Sequence, residues 1–305
     1  MAVLFAFGND NSDLPAFLDS LACQSRPAGE VHALDYRTRA NSSSLSYRWE
    51  NQLNLKIHRK ESQPGGKILN SLLRDITCEF ILYLGINYHP AVNYIRTITG
   101  ILAKEPDLTA ARGTLKDKNR NSPFKKAAGL ITYHRLSLVG RQGAFQRPEG
   151  LIYRKEKLVE AGGWRDCLTF SAQIELLNRL QNKDHKIKIS SQTDIHFSPP
   201  ANRGDFFVFH QNKGRELGEL AGTDFLPSLK HWKVDRFFTL WSFALCWNPA
   251  GWGLALLYQL LVIKSTFSGI QKFRSAWRAV YLLPLLHLGC WLGWLEKRFT
   301  TSAED

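Results

Sequence analysis

Up to Arg112, short apolar runs bounded by turn residues alternate with segments whose apolar residues recur at helical spacing. VLFAF (Val3 to Phe7) runs into Gly8-Asn9-Asp10, the pattern of a strand covered on both faces. Ser12 or Asp13 can cap the helix that follows, Pro15 is tolerated in its first turn, and Leu14, Phe17, Leu18 and Leu21 share one face. The alternation continues with strands at Glu30 to Tyr36 and Asn54 to Lys60, a helix at Lys67 to Ile76 and a strand at Glu79 to Leu84. A helix at Ala91 to Lys104, with Val92, Ile95, Ile98 and Leu102 inward, leads to a strand at Asp107 to Arg112. This order predicts an α/β fold with a mostly parallel sheet and helices on both faces. Ligands in such sheets lie at the carboxyl ends of the strands, which singles out Gly8 to Asp10, Asp35 to Thr38 and Gly85 to His89.

Beyond this block, Thr114 to Lys126 carries five basic residues and reads as a mobile surface loop, or as a flap facing phosphate. A strand at Gly150 to Lys155, a short helix stopped by Gly162-Gly163, an amphipathic helix at Ser171 to Asp184 and a late strand ending at Phe197 complete the globular part. Ser198-Pro199-Pro200 closes it. The start of the chain lacks the basic segment and cleavage site of a secretory signal, so a strand is expected there.

Composition narrows the partners. The 305 residues carry 40 Lys and Arg against 27 Asp and Glu, a net charge of +13 that favours phosphate-rich ligands, anionic lipid or nucleic acid. No nucleic-acid reader motif is present, and many aromatics lie in the tail, so nucleic acid is not the expected partner. The five cysteines are far apart, exclude a zinc spacing or redox pair, and read as ordinary buried side chains.

Several strings, in order, resemble the family 2 glycosyltransferases of the GT-A fold over residues 2 to 197. FGND stands where that family has its first nucleotide-facing loop, and Leu18 to Asp35 matches its helix, Gln and second strand ending in Asp. GGKILNSL (Gly65 to Leu72) matches a Gly-x-x-x-x-Asn helix start, and Gly150 to Trp164 looks like the acceptor-side strand, basic residue and Gly-Gly-aromatic corner. AQIELLNRL (Ala172 to Leu180) sits where the family's helix carries its catalytic carboxylate. The resemblance implies transfer of a sugar from a nucleotide diphosphate sugar, with inversion, to a lipid-linked or polysaccharide acceptor. It also implies a nucleotide site at Asn9, Asp35, Tyr36, Lys67 and Asn87, and a catalytic position at Gln173 or Glu175.

The sequence departs from this pattern where the family keeps its acids. The metal-holding Asp-x-Asp is replaced by Gly85-Ile86-Asn87, which offers no carboxylate, so a divalent metal cofactor is not expected. The family's Glu-Asp pair falls on Ala172-Gln173, and an amide cannot take the acceptor proton. Glu175, two residues on, does not share a helical face with that position and reads more readily as structural. His89 and His196 read as structural residues. Three explanations stay open: an active, metal-independent transferase using Lys67 and the Lys116 to Lys126 cluster for charge, a binding or scaffold subunit that partners an active transferase, or an alignment displaced by a helical turn.

Past a basic connector (201 to 235), residues 236 to 305 are expected to form apolar, membrane-associated helices. Residues 237 to 263 include no charged side chain over 27 positions, and 279 to 295 include none over 17. Asn248-Pro249 interrupts the first block, and Lys264, Lys272, Arg274 and Arg278 lie between the two. Two full spans would put these cations opposite the first domain, so a re-entrant or in-plane arrangement on the cytoplasmic face of a membrane, the inner one in a bacterium, is expected, with a two-span hairpin left open.

Overall fold

The computed structural model describes residues 1–7, 13–36, 49, 52–59, 64–117, 122–138, 148–169, 171–221, 282, 285–286 and 288–297. In chain order the elements are β1 (Ala2–Phe7), α1 (Leu14–Ala22), β2 (Glu30–Asp35), β3 (Leu55–Arg59), α2 (Gly65–Asp75), β4 (Phe80–Gly85), β5 (Tyr88–Pro90) and α3 (Tyr94–Lys104). They continue with β6 (Leu108–Asp117), α4 (Pro123–Leu138), β7 (Ile152–Arg154), α5 (Lys155–Glu160), α6 (Ala172–Asn182), β8 (Lys186–Phe197) and α7 (Arg203–Ala221). The chain divides into two compact units, one of residues 1–118 and 144–198 and one of residues 119–143 and 199–305.

The first unit is built on an eight-stranded sheet in the order β3-β2-β1-β4-β7-β6-β8-β5. The pairs β1·β2, β1·β4, β2·β3 and β6·β8 are parallel, whereas β4·β7, β6·β7 and β5·β8 are antiparallel. The sheet is therefore mixed rather than mostly parallel. The first three strand-to-strand crossovers give parallel pairs, those from β1 to β2 and from β3 to β4 through the helices α1 and α2, but β7 enters the gap between β4 and β6 in the opposite direction. Val3, Phe5 and Phe7 are buried on one face, where the Phe5 ring lies edge to face with Phe17 of α1 at 4.9 Å. On the other face Ala2, Leu4, Leu34, Ile81 and Tyr153 form one core with Leu69 and Leu72 of α2 and Leu176 and Leu180 of α6. Double coverage explains why β1 is an unbroken apolar run, each such side chain contributing about 1.5–3 kcal/mol by leaving water.

Three local expectations are corrected. Helix α3 begins at Tyr94 because Tyr88–Pro90 is a strand paired with β8, which leaves Val92 in the turn and 59 % exposed. The basic segment is not simply a loop: Lys116 extends β6 beside β8 and binds Asp194 at 2.6 Å, Lys125 and Lys126 belong to α4, and Lys118 and Arg120 lie outside the described residues. Cys23 and Cys167 are exposed, while Cys290 is buried.

At the sheet edge, Glu30, His32 and His58 form a line. His32 Nε2 lies 3.1 Å from Glu30, and its Nδ1 lies 3.0 Å from His58 Nε2 with the ring planes nearly parallel, 17° apart. Burial, then the charges of His32 and Lys56, hold the His58 imidazole below its usual value against the opposing pull of Asp75. A lowered imidazole contributes stability that is present above the unfolded value and is lost as pH falls through the folded one. The melting temperature should therefore be flat above about pH 7 and fall below about pH 6.5, and His58→Gln should flatten the first part of that fall. Thermal melts across the range check it, and an unaltered limb in His58→Gln would assign the fall to other groups.

In the second unit, α4, α7 and the helical residues 288–297 pack together. Ala127, Ala128, Phe206, Leu282, Leu286 and Cys290 form their core. Gly214 and Gly218 of α7 meet the backbone of Cys290 and Trp294, while Gly289 and Gly293 meet that of Phe207 and Gln211. Paired small residues at a spacing of four let the two helix backbones touch. Arg215 binds Glu296 at 2.8 Å beside this crossing. Among the described residues no helix is long and apolar enough to cross a membrane. The expected apolar membrane helices are to that extent not found: the described part of the second block packs against α7 and α4, and the first block, residues 237–263, lies outside the described residues.

Candidate functional site

The carboxyl ends of β1, β2 and β4 are adjacent because these strands are parallel neighbours, with Phe7 beside Asp35 and Ala6 beside Gly85. Asp35 is the last residue of β2 and buried, on the same face as Phe7. Tyr36 follows it, its amide donating to the Phe7 carbonyl at 2.9 Å. Asn9 lies outside the described residues.

On one side of this end of the sheet, three distant segments converge. A Cβ built on Gly65 would lie 2.5 Å from the Tyr36 hydroxyl and 3.2 Å from the Thr169 carbonyl, so the bare glycine gives the Tyr36 ring room to lie here. The Gly65 amide donates to the Thr169 hydroxyl at 3.3 Å and the Gly66 amide to the Leu168 carbonyl at 2.7 Å. Segment 165–169 thereby satisfies the free amides that open α2. Lys67, in that first turn, is exposed. The structure thus brings Tyr36 and the helix start that carries Lys67 to the lead-in of α6, whose first turn holds Gln173.

On the other side, Asn87 sits in the turn between β4 and β5, where its carbonyl accepts from the Ser198 amide at 2.8 Å. The Ser198 hydroxyl donates to Asp13 at 3.2 Å, which engages the carboxylate expected to cap α1. His89 and His196 face each other across the β5·β8 pair and are part of the sheet.

Glu175 is 1 % exposed and held by two arginines, with Arg165 Nε and Arg179 Nε each 3.0 Å from Oε1 and Arg179 Nη2 3.0 Å from Oε2. Arg179 also donates to the carbonyls of Ala161 and Gly163. Asn70 completes the arrangement: its Oδ1 accepts from the Trp164 amide at 2.9 Å, and its Nδ2 donates to the Trp164 carbonyl and to Asp166. Glu175 and Asn70 together fix the Gly162-Gly163-Trp164 corner, both glycines of which have positive φ. Sequence reasoning assigned Asn70 no role, since its partners lie 94 residues away; the signal was its place in the Gly-x-x-x-x-Asn string.

Gln173 is different. It is 8 % exposed, and neither Oε1 nor Nε2 has a hydrogen-bond partner among the described residues. Below α6, on the sheet face it covers, the Tyr153 hydroxyl is also buried without one. Burial pushes the Tyr153 phenol up, Glu149 pushes the same way, and Arg112 opposes them. Arg112 itself is 5 % exposed on β6. Leaving polar atoms buried and unpaired costs about 1–3 kcal/mol each, so such a group is a place where a ligand or water belongs.

No family model matches the sequence, and no curated protein does. The fold does match solved structures: it is the GT-A-like fold of glycosyltransferases. The mannosyltransferase PcManGT from Pyrobaculum calidifontis, solved with GDP-Man and Mn2+, aligns over 98 % of this chain and 87 % of its own at a TM-score of 0.59 and 14 % identity. S. aureus TarS aligns over 99 % of this chain and 54 % of its own at 0.51 and 17 %, and its 1–349 fragment with UDP over 100 % and 91 % at 0.51 and 16 %.

The Mn2+ in the PcManGT structure invites a test of fit here. Gly85 offers no donor, the Asn87 side chain is neutral, and its carbonyl is bonded to Ser198. Among the described residues no three His, Cys, Asp or Glu side chains group so as to hold a metal ion. The donor set at β4 does not fit a divalent cation that needs anionic oxygens.

Proposed function

We propose that this chain binds a nucleotide diphosphate sugar at the carboxyl ends of β1, β2 and β4 and transfers the sugar, with inversion, to a lipid-linked or polysaccharide acceptor without a divalent ion. The observation that carries the reading is the convergence of Tyr36, Gly65 and Thr169 beside Asp35, on a fold shared with enzymes whose structures hold GDP-Man, UDP or UDP-GlcNAc. Asp35 accepts a base or ribose hydrogen, Tyr36 covers the base, Asn9 and Asn87 flank the nucleotide, and Lys67 supplies charge to the departing diphosphate. Gln173 stands at the acceptor side.

Membrane association on the cytoplasmic face, the inner membrane in a bacterium, belongs to the same reading. It is supported by the 27 charge-free positions of 237 to 263. A second reading, a catalytically inactive subunit that partners an active transferase, is favoured by the neutral Gln173 and by the commitment of Glu175 to two arginines. Calorimetric titration with UDP-GlcNAc and GDP-mannose, extended to other UDP- and GDP-sugars, tests the nucleotide site. Saturable binding of one of them is expected, and binding of none would remove both readings.

A further inference from the structure

An enzyme that delivers a sugar to a hydroxyl must remove that hydroxyl's proton, and a positioned base contributes about 10²–10⁴-fold to the rate. The first turn of α6 supplies none: Glu175 is buried with both oxygens on arginines, and Gln173 is an amide, which takes no proton. A carboxylate reaches this end of the sheet from another direction. Strand β7 runs antiparallel to both its neighbours, with Ile152 beside Leu82 of β4 and Ala111 of β6. The turn of residues 148–150 that feeds it therefore lies toward the carboxyl ends of β4 and β6, the end of the sheet that also holds Asp35 and Asn87.

This turn is fixed from both sides. The Leu151 amide closes it on the Pro148 carbonyl at 3.2 Å. The fully buried Tyr94 hydroxyl donates to the Gly150 carbonyl and accepts from the Gly113 amide of β6 at 3.2 Å, which ties the turn to the neighbouring strand. Gly150 has a φ of +79°, and a Cβ there would lie 2.8 Å from Ile195 and 2.9 Å from the Tyr94 hydroxyl, so the turn requires glycine. Glu149 stands in the middle of it. The residue is half-buried, and its Oε2 is buried without a hydrogen-bond partner among the described residues. A carboxylate oxygen only accepts, so what it lacks is an O–H or N–H donor, and leaving it unmet costs about 1–3 kcal/mol. Glu149 and Arg112 act on the same buried Tyr153 phenol in opposite senses. One carboxylate against one guanidinium leaves this corner without net charge, which suits a neutral hydroxyl as the missing donor.

We infer that Glu149 is the general base of the transfer, the carboxylate that takes the proton of the acceptor hydroxyl. This rests on the nucleotide-sugar reading above and assigns the proton step of that same site. The hydroxyl oxygen attacks the anomeric carbon from the face opposite the diphosphate while its O–H bond breaks and the proton passes to a Glu149 oxygen. A new C–O bond forms, and the bond from the anomeric carbon to the diphosphate oxygen breaks, its electron pair leaving with the nucleoside diphosphate. Glu149 then returns its proton to water. With the base on the turn before β7, Glu175 is free to serve as the anchor of the glycine corner, and a neutral side chain at Gln173 costs the reaction nothing.

The test uses the full chain with whichever sugar nucleotide it binds, and reads release of the nucleoside diphosphate with water, glycerol and geraniol as acceptors. Glu149→Gln should cut the rate by about 10²–10⁴-fold while the sugar-nucleotide Kd and the melting temperature stay essentially unchanged. Glu149→Ala should be as slow, and should regain about tenfold or more in about 1 M sodium formate, a small carboxylate that enters the space the side chain leaves. Formate should not speed the unaltered protein, and a residue with a purely structural role would show no such rescue. A Glu149→Gln rate near that of the unaltered protein, no effect of formate on Glu149→Ala, or a loss of nucleotide affinity as large as the loss of rate overturns the inference. So does bound sugar nucleotide with no release to any acceptor, and in each of these cases the nucleotide site of the unaltered protein stands. Failure of the unaltered protein to bind any sugar nucleotide overturns that site, and this inference with it.

Discussion

Glu175→Ala should lower the stability of the first unit by about 3 kcal/mol, or roughly 6–12 °C in melting temperature. Removing one partner of a buried ion pair leaves the other charge without compensation, and this costs more than the pair itself contributes. Arg179 would lose both carboxylate contacts while staying tied to the Ala161 and Gly163 carbonyls, and so could not swing into water without freeing the glycine corner. Arg165 is 43 % exposed and largely escapes, which sets the effect at the low end of the range for buried pairs. A thermal melt with calorimetric titration of the sugar nucleotide at low temperature separates this from a catalytic role. A clear drop in melting temperature with binding retained is the predicted outcome, and an unchanged melt with lost turnover would make Glu175 the base.

Gly66→Ala should be the second severe change. A methyl group there would overlap the Arg165 carbonyl and press on the Leu168 carbonyl, which also accepts the Gly66 amide. Backbone cannot yield as a side-chain tip can, so overpacking of about 1–3 kcal/mol adds to a weakened hydrogen bond of about 1 kcal/mol. The start of α2 must then retreat from segment 165–169, and Tyr36 loses the close partner that places it. Melting temperature and sugar-nucleotide affinity should both fall, affinity by about tenfold for each 1.4 kcal/mol lost at the site. Gly100→Ala is the control: a Cβ there meets nothing within 4 Å inside α3, and alanine should stabilise that helix by about 0.5–1 kcal/mol. Equal effects at both positions would refute the packing account.

What the sequence revealed followed from periodicity, and what it hid followed from distance. β1, α1, β2 and β4 were legible because burial on one or both faces writes itself into runs of Val, Leu and Phe. β5 was not, because three residues ending in Pro90 carry no pattern and become a strand only when β8 arrives more than a hundred positions later. β6 runs to Asp117 through residues whose charges suggest a loop, since pairing with β8 past the register shift at Gly113 and Thr114 overrides their local preference. The Arg179 contact of Glu175 could be read from its spacing of four, whereas the Arg165 contact and the Asn70 clamp could not. The neutral character of Asn87 and Gln173 was plain in the letters. That Gln173 is buried with its amide unbonded among the described residues required the fold.

The account turns on a nucleotide-sugar site that works without carboxylate ligands beneath β4. Calorimetric titration of the bound sugar nucleotide, once in EDTA and once in excess Mn2+, measures this directly. The prediction is saturable binding in EDTA with a Kd that Mn2+ leaves essentially unchanged. Binding that vanishes in EDTA and returns with Mn2+ would contradict it.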